Sequence, residues 1–216
     1  METAISVTSL TRRSAMSAAL AIRVRMDSSG VVSSDVMARA IGSDVSVRKP
    51  IPERWLMTDE RMGDALWSAL RRLPPGSGVV FRHYATAAGE RRVLLRRVRR
   101  LAHARRLVLV VAGTSTIRAD GVHGGARTRG IRTWPAHSRV EALAGERAGA
   151  DALFVSPVYA TRSHEGAVGL GPARAVRIAR GLGAKVVALG GMDAARWRRI
   201  RRFGFHGWAA IDAWMR

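Results

Sequence analysis

From Pro52 to the end of the chain, short apolar runs alternate with amphipathic, arginine-rich segments. Strand-sized apolar runs separated by helix-sized segments are typical of repeated βα units with a parallel sheet. The predicted strands span residues 54–58, 78–83, 107–112, 121–123, 131–134, 152–156, 185–189 and 205–210. Eight strands with helices between most of them favour a closed (β/α)8 barrel, the TIM barrel, over an open doubly wound sheet.

The predicted helices span residues 63–73, 87–105, 138–148, 172–180 and 193–200. Ser138 and Glu141 form a capping box at the start of the third helix, and Asp193 caps the fifth. The third, fourth and fifth strands are separated by connections too short for full helices. We therefore expect an α/β fold, a compact TIM barrel in which some outer helices are shortened or missing.

The second predicted helix is the most basic segment of the chain. Its apolar residues Leu94, Val98 and Leu101 lie at positions i, i+4 and i+7, which predicts that they form the buried face. The arginines between them are then expected to form mostly a solvated outer surface.

Residues 1–50 are rich in Ser, Ala, Val and Met and lack sustained periodicity. We expect them to form a poorly ordered N-terminal extension and residues 51–216 to form the barrel domain. The Arg and Ser content of the extension is faintly similar to that of a transit peptide, but Asp27, Asp35 and Asp44 argue against one.

The formal net charge of the chain is +21, from 37 Lys and Arg residues against 16 Asp and Glu residues. No nucleic-acid-binding module or pattern of stacking aromatic residues accompanies this charge, so nucleic acid is not an expected partner. No apolar run approaches the roughly 18 residues of a membrane span, so no membrane partner is expected. The chain has no Cys, which excludes thiolate chemistry and fits a cytoplasmic location. The sequence does not decide whether the chain forms a homo-oligomer.

In a barrel of this kind, functional side chains lie at the carboxyl ends of the strands and in the loops that follow. The residues in these positions include Arg82, His123, His137, the loop 156–165, Gly190 and Gly191. A glycine pair before a helix lets backbone N–H groups approach an anion, which the helix N-terminus attracts. The loop adds donors from Thr161, Ser163 and His164. The sequence thus predicts a phosphate site.

Several motifs occur in an order and spacing that resemble one known family. They are the segments 149–161 (GADALFVSPVYAT) and 187–192 (VALGGM), the tetrapeptide 120–123 (DGVH), the tripeptide 136–138 (AHS) and the pair 81–82 (FR). Together they resemble the thiamine phosphate synthase and TenI family over about residues 54–214. Several motifs in the same order are more specific than any one of them.

This resemblance implies a TIM barrel with a role in thiamine biosynthesis. The synthase joins hydroxymethylpyrimidine diphosphate to thiazole phosphate, which yields thiamine phosphate and releases pyrophosphate. By the same match, Thr161, Ser163 and Gly191 would help to hold the thiazole phosphate, and Arg82 would face the diphosphate. The implied partners are these small phosphorylated substrates, and the implied cofactor is Mg²⁺.

The chain departs from the family pattern where the Mg²⁺ ligands are expected. The family's Asn-Asp pair after the third strand aligns with Ala112 and Gly113, and its Asp after the fourth strand aligns with Thr128. Magnesium prefers oxygen ligands, ideally anionic ones, so the usual aspartate ligands are absent and no metal ligand is assigned. The cations left to neutralise a pyrophosphate include Arg127, Arg129 and Arg162.

Further departures concern the substrate side chains. The family's Lys after the sixth strand aligns with His164, and the Lys beside the arginine of the second strand aligns with Tyr84. The phosphate-binding Ser after the eighth strand aligns with Asp212, which would repel an anion.

Three readings of function follow from the resemblance. The first is a thiamine phosphate synthase with a degenerate or rearranged metal site. The second is a TenI-like thiazole tautomerase, which needs no metal and for which His137 is the candidate general acid/base. The third is a non-catalytic homologue that binds thiazole phosphate.

Overall fold

The computed structural model describes residues 49–125, 130–161 and 169–215. Its strands are β1 (Arg54–Met57), β2 (Gly78–Phe81), β3 (Val108–Ala112), β4 (Gly121–His123), β5 (Ile131–Ala136), β6 (Ala152–Val155), β7 (Lys185–Leu189) and β8 (Gly207–Ala210). All neighbouring pairs are parallel, and β8 pairs with β1 to close the barrel. The predicted TIM barrel is confirmed.

The helices around this barrel are α1 (Ala65–Arg72), α2 (Ala88–Ala104), α3 (Arg139–Arg147), α4 (Pro172–Ala179), α5 (Ala194–Ile200) and α6 (Asp212–Met215). Residues 113–120, which connect β3 to β4, contain no helix, and β4 is joined to β5 by residues 124–130 alone. The outer layer is therefore thin on this side, as the short connections predicted. In the described ranges, no helix has the length and apolar character that a bilayer span requires.

Both predicted helix caps are present, and each positions residues of the barrel mouth. Ser138 Oγ accepts from the Glu141 N–H at 3.2 Å, while the Glu141 carboxylate accepts from the His137 N–H at 2.9 Å. Asp193 Oδ1 accepts from the Arg196 N–H at 2.8 Å. These bonds satisfy N–H groups that the first turn of a helix leaves without partners.

The buried face of α2 differs from the predicted one. Leu95, Val98 and Ala102 are buried, whereas Leu94 and Leu101 are only partly buried. The face is centred about one residue further along the helix because the small Ala102, rather than the larger Leu101, lies at the closest approach to the strands. A pattern that counts only large apolar residues misses this position.

The barrel interior is filled by two large aromatic rings. The rings of Trp55 and Phe154 meet edge to face with their centroids 5.2 Å apart, and both side chains are fully buried. Gly78 is paired with Trp55 in the sheet, and a Cβ at Gly78 would lie 2.1 Å from the indole ring. Gly78 is therefore required because the indole ring of Trp55 leaves no space for a side chain, and not because of its backbone conformation.

Arg132, a residue of β5, covers part of the outer surface of the barrel. Arg132 is 9% exposed, and its guanidinium lies 5.1 Å from the centre of the Trp134 ring. It donates to the backbone carbonyls of Ala148 and Gly125. A long side chain of this kind buries its aliphatic stem while its charged end satisfies backbone acceptors.

Candidate functional site

Asp59 and Arg82 form an ion pair at the carboxyl ends of β1 and β2. Arg82 Nη2 lies 3.1 Å from Asp59 Oδ2, and Arg82 Nε donates to the Thr58 carbonyl at 3.0 Å. Arg61 contacts the other carboxylate oxygen, with Nε 2.8 Å from Oδ1. Arg82 thus lies at the barrel mouth, and part of its charge is balanced by a carboxylate that sequence analysis did not single out.

The surroundings of Asp59 keep it ionised. Burial raises the pKa of the Asp59 carboxyl, but the hydrogen bonds and charge of Arg61 and the charge of Arg82 outweigh it, so the pKa lies below its usual 3.8. Both carboxylate oxygens are engaged by guanidinium groups. Asp59 is therefore a positioning residue for Arg82 more than a carboxylate available to another cation.

His123, at the end of β4, points into the barrel. Its Nδ1 lies 2.8 Å from the Thr133 hydroxyl, and its ring packs edge to face on Phe154 with centroids 5.4 Å apart. Burial, and to a smaller extent the charge of Arg82, lower the pKa of His123 to about 4. His123 is therefore neutral at pH 7, in a position that fills and orders the interior.

This pKa predicts a specific dependence of stability on pH. The unfolded chain binds a proton at His123 below about pH 6.5 and the folded chain only near pH 4, so the stability is full above pH 6.5 and falls as the pH falls through this window. Between pH 6.5 and pH 4, we expect the free energy of unfolding of the parent to fall by about 2–3 kcal/mol more than that of His123→Asn. Urea unfolding of both proteins at the two pH values measures this difference. Parallel losses would show that another group, such as His83, whose pKa is also lowered by burial, accounts for the dependence.

His137 lies directly after β5, and one of its ring nitrogens, Nδ1, is held by hydrogen bonding. Nδ1 lies 3.0 Å from the carbonyl oxygen of Ser156, and the backbone N–H of His137 donates to Glu141. A carbonyl only accepts, so Nδ1 carries the proton. Nε2 of the neutral ring is then the proton acceptor, and the side chain is exposed at the mouth. This arrangement suits a residue that exchanges a proton with a bound substrate.

A cavity of about 270 Å³ lies where the loops after β6, β7 and β8 meet. It brings together Thr161 and Gly191, two predicted phosphate ligands, with Asp212. Among the described residues, the Gly191 N–H meets no acceptor, so it is available to an anion. The predicted Gly190 forms the preceding part of the same turn, and its carbonyl accepts from the Tyr159 N–H at 3.1 Å.

Close packing explains why both glycines are needed in this turn. A Cβ at Gly190 would lie 2.6 Å from Pro157 Cα, and one at Gly191 would lie 2.5 Å from the carbonyl oxygen of Ala160. Their φ angles of 92° and 58° are also unfavourable for other residues. The turn after β7 and the loop after β6 therefore form one unit.

Arg196 is a cavity residue that sequence analysis missed. Its guanidinium lies 4.7 Å from the centre of the Tyr159 ring and donates to the carbonyl of Gly191. Asp193 and Asp212 line the same cavity, and their carboxylates oppose an anion. The available signal was position: Arg196 follows Asp193 by three residues, which places it in the first turn of α5 beside the glycine pair.

Other predicted residues lie outside the described part of the chain. Ser163 and His164, which were expected to join Thr161, are among them, as are Arg127, Thr128, Arg129 and Arg162. Their roles stay predictions.

A second arginine that sequence analysis missed binds the carboxyl ends of β2 and β3. Arg91, in the first turn of α2, donates from Nη2 to the Ala112 carbonyl at 2.6 Å and to the Arg82 carbonyl at 3.2 Å. Its Nε donates to His83 O at 3.0 Å, and its Nη1 donates to Thr114 O at 3.2 Å. The arginines between Leu94 and Leu101 are exposed, as predicted. Arg91, which precedes them, is only partly exposed because the helix start lies directly over these strand ends.

A family model and the curated relatives of this chain identify the same family. A family model described as thiamine monophosphate synthase (TMP-TENI) matches residues 56–214. A thiamine-phosphate synthase of Desulfitobacterium hafniense strain Y51 is 37% identical over 108 residues, 44% of this chain and 52% of the relative. That of Geobacillus kaustophilus is 33% identical over 147 residues, 60% of this chain and 66% of the relative. The chain thus spans about half the length of the first of these relatives.

Solved structures share the fold at lower identity. Thiamine phosphate pyrophosphorylase from Pyrococcus furiosus superposes with a TM-score of 0.64 and 23% identity, covering 76% of this chain and 87% of that one. Nitroalkane oxidase from Streptomyces ansochromogenes has a TM-score of 0.56 and 16% identity, covering 80% of this chain and 68% of that one. These likenesses concern the barrel alone, since one barrel fold supports many chemistries.

Proposed function

The chain belongs to the thiamine monophosphate synthase (TMP-TENI) family, and from this membership we propose that it condenses hydroxymethylpyrimidine diphosphate with thiazole phosphate. The bond between the pyrimidine methylene carbon and the diphosphate oxygen breaks, and a bond from that carbon to the thiazole nitrogen forms. Pyrophosphate leaves with the electron pair of the broken bond, and thiamine phosphate is the product.

The observation that carries this proposal is the cavity at the ends of β6, β7 and β8. The Gly191 N–H, which meets no acceptor among the described residues, and the guanidinium of Arg196 are donors for the phosphate of the thiazole substrate, and Thr161 lines the same space. Hydrogen bonds to a charged group are shorter and stronger than neutral ones, so a few such donors suffice to orient a phosphate. Arg82, on the opposite side of the mouth, is the proposed contact for the diphosphate.

A TenI-like thiazole tautomerase is the second candidate function, and the geometry of His137 favours it. The bond from Nδ1 to the Ser156 carbonyl orients the ring and leaves Nε2 as the base. A tautomerisation moves one proton off the substrate and returns one elsewhere, so a single oriented histidine suffices. This reaction uses the thiazole phosphate site and makes no demand on Arg82.

One assay separates these functions. The full chain is incubated with both phosphorylated precursors, and separately with the thiazole tautomer, in Mg²⁺ and in EDTA, and the products are identified by mass. Thiamine phosphate supports the synthase, isomerised thiazole alone supports the tautomerase, and binding without product leaves a non-catalytic homologue.

The His137→Asn variant tests the role of the base. We expect it to lower the rate of tautomerisation by about 100-fold or more, because general acid–base catalysis contributes about 10²–10⁴-fold. The binding of thiazole phosphate is expected to change little, which calorimetry checks on the same protein. An unchanged rate would remove His137 from the chemistry.

A further inference from the structure

The described residues do not fit the Mg²⁺ ion on which this family usually depends. At the end of β3 the Ala112 carbonyl is bound by the guanidinium of Arg91, and the next residue, Gly113, has no side chain to offer. Magnesium requires oxygen ligands and is repelled by a neighbouring cation. Asp59, a carboxylate at the adjoining strand ends, is already paired with two arginines. The described residues contain no group of three or more His, Asp or Glu that could hold a metal.

Arg91 is held there by the backbone and not by a carboxylate. Four of its five N–H groups donate to carbonyl oxygens, and its guanidinium lies 5.1 Å from the centre of the Phe81 ring. Carbonyl acceptors carry no net charge, so the full positive charge of Arg91 is retained. Among the described residues, the fifth N–H, on Nη1, meets no acceptor, so it can donate to a bound anion.

A cavity of about 610 Å³, the α2–β3 cavity, adjoins this guanidinium. It is lined by Arg91, Arg92 and the hydroxyl-bearing residues Tyr84, Thr86 and 114–116, and no acidic side chain lines it. Arg92 is exposed, and no described carboxylate pairs with it. The volume is within the range of small-molecule sites. Cations and hydroxyl groups without competing carboxylates are the chemistry that binds phosphate groups.

We propose that the α2–β3 cavity binds a diphosphate group without a divalent cation, with Arg91 and Arg92 supplying the positive charge that a metal would otherwise supply. The Arg91 guanidinium is fixed in advance by its four carbonyl bonds, so it loses little freedom when an anion binds. Arg92 closes on the anion from the solvent side, and the hydroxyl groups of Thr114 and Thr116 provide further donors. The proposal rests on the proposed function in that it assigns the diphosphate side of that reaction, and it places the diphosphate on Arg91 and Arg92, next to Arg82, whose carbonyl Arg91 binds.

Inorganic pyrophosphate is the probe, titrated into the full chain by calorimetry at physiological ionic strength, in EDTA and in Mg²⁺. We expect binding in EDTA that is at least as tight as binding in Mg²⁺. We expect Arg92→Gln to weaken it about ten-fold, as the loss of one charge-assisted contact implies. The matched control is Arg96→Gln, which removes the same charge one turn along α2, away from the cavity, and is expected to change the affinity little.

Binding that appears only in Mg²⁺ would overturn the proposal, as would equal weakening by both variants, which would indicate a general effect of charge. Titration of thiazole phosphate into the same protein separates this outcome from a failure of the proposed function. If thiazole phosphate binds and pyrophosphate does not, only the diphosphate assignment fails. If neither binds, both fail.

Discussion

Gly78→Ala is expected to lower the free energy of unfolding by about 3 kcal/mol, and most of this loss is expected to disappear in a protein that also carries Trp55→Ala. The new Cβ would lie within 2.1–2.4 Å of three atoms of the indole ring. The ring cannot easily move away, because Trp55 Nε1 donates to the Pro52 carbonyl at 2.7 Å and Phe154 packs against it. The steric conflict therefore has no inexpensive resolution while the indole is present.

Trp55→Ala alone is expected to lower the free energy of unfolding by about 3–5 kcal/mol, since it opens a large cavity in a fully buried position. Urea unfolding of the parent, both single variants and the double variant gives the coupling between the two sites. In the Trp55→Ala background, Gly78→Ala is expected to cost less than about 1 kcal/mol. Additive losses would mean that Gly78 is required for a reason other than the indole ring.

Gly191→Ala is expected to weaken the binding of thiazole phosphate by at least about ten-fold. The added Cβ would lie 2.5 Å from the Ala160 carbonyl, so the loop that carries Thr161 must shift away from the turn after β7. The phosphate donors of the two loops would then no longer face the same point. Calorimetric titration of thiazole phosphate measures the effect.

The matched control is Gly204→Ala. Gly204 has a φ of 91°, comparable in sign with the 58° of Gly191, but its Cβ would meet nothing within 4 Å. Both variants thus carry the backbone strain of an alanine at positive φ, and only Gly191→Ala carries the clash. Equal weakening of binding by the two would assign the effect to general destabilisation.

A second variant, Asp212→Ser, is expected to strengthen the binding of thiazole phosphate and tests the same site if Gly191→Ala folds poorly. Asp212 lines the cavity, and its carboxylate opposes the phosphate dianion. Asp212→Ser removes this charge and leaves a hydroxyl donor, so tighter binding of thiazole phosphate is expected. Unchanged or weakened binding of thiazole phosphate in Asp212→Ser would place the phosphate elsewhere.

Much of the barrel could be predicted because its signals are local. Each strand is a short apolar run, each helix has its own periodicity, and the caps at Ser138 and Asp193 depend on residues three positions away. The strand pattern occurs eight times along the chain with helical segments between most of the strands, which favours a closed barrel over other α/β folds. The connections on either side of β4 were predictably short for the same reason, since their lengths can be counted.

The predicted site was less complete, and the missing residues share one property. Asp59, Arg91 and Arg196 each act through a partner on another element: Asp59 through Arg82, Arg91 through four carbonyls at the ends of two strands, and Arg196 through Tyr159. In a chain with 37 Lys and Arg residues, nothing local distinguishes Arg91 from the arginines in solvent, and the one local signal for Arg196 was its position three residues after Asp193.

The amino-acid sequence was sufficient to predict the order of strands and helices, the short connections of the third to fifth strands, and the positions of the glycine pair and of His137 at strand ends. These follow from hydrophobic periodicity and chain length, which act between near neighbours. Three contacts could be found only in the folded barrel: Gly78 accommodates Trp55, Asp59 pairs with Arg82, and the Arg91 guanidinium lies at the end of β3. These contacts arise when closure of the barrel brings distant segments together, and their energies depend on distance and burial that no single segment contains.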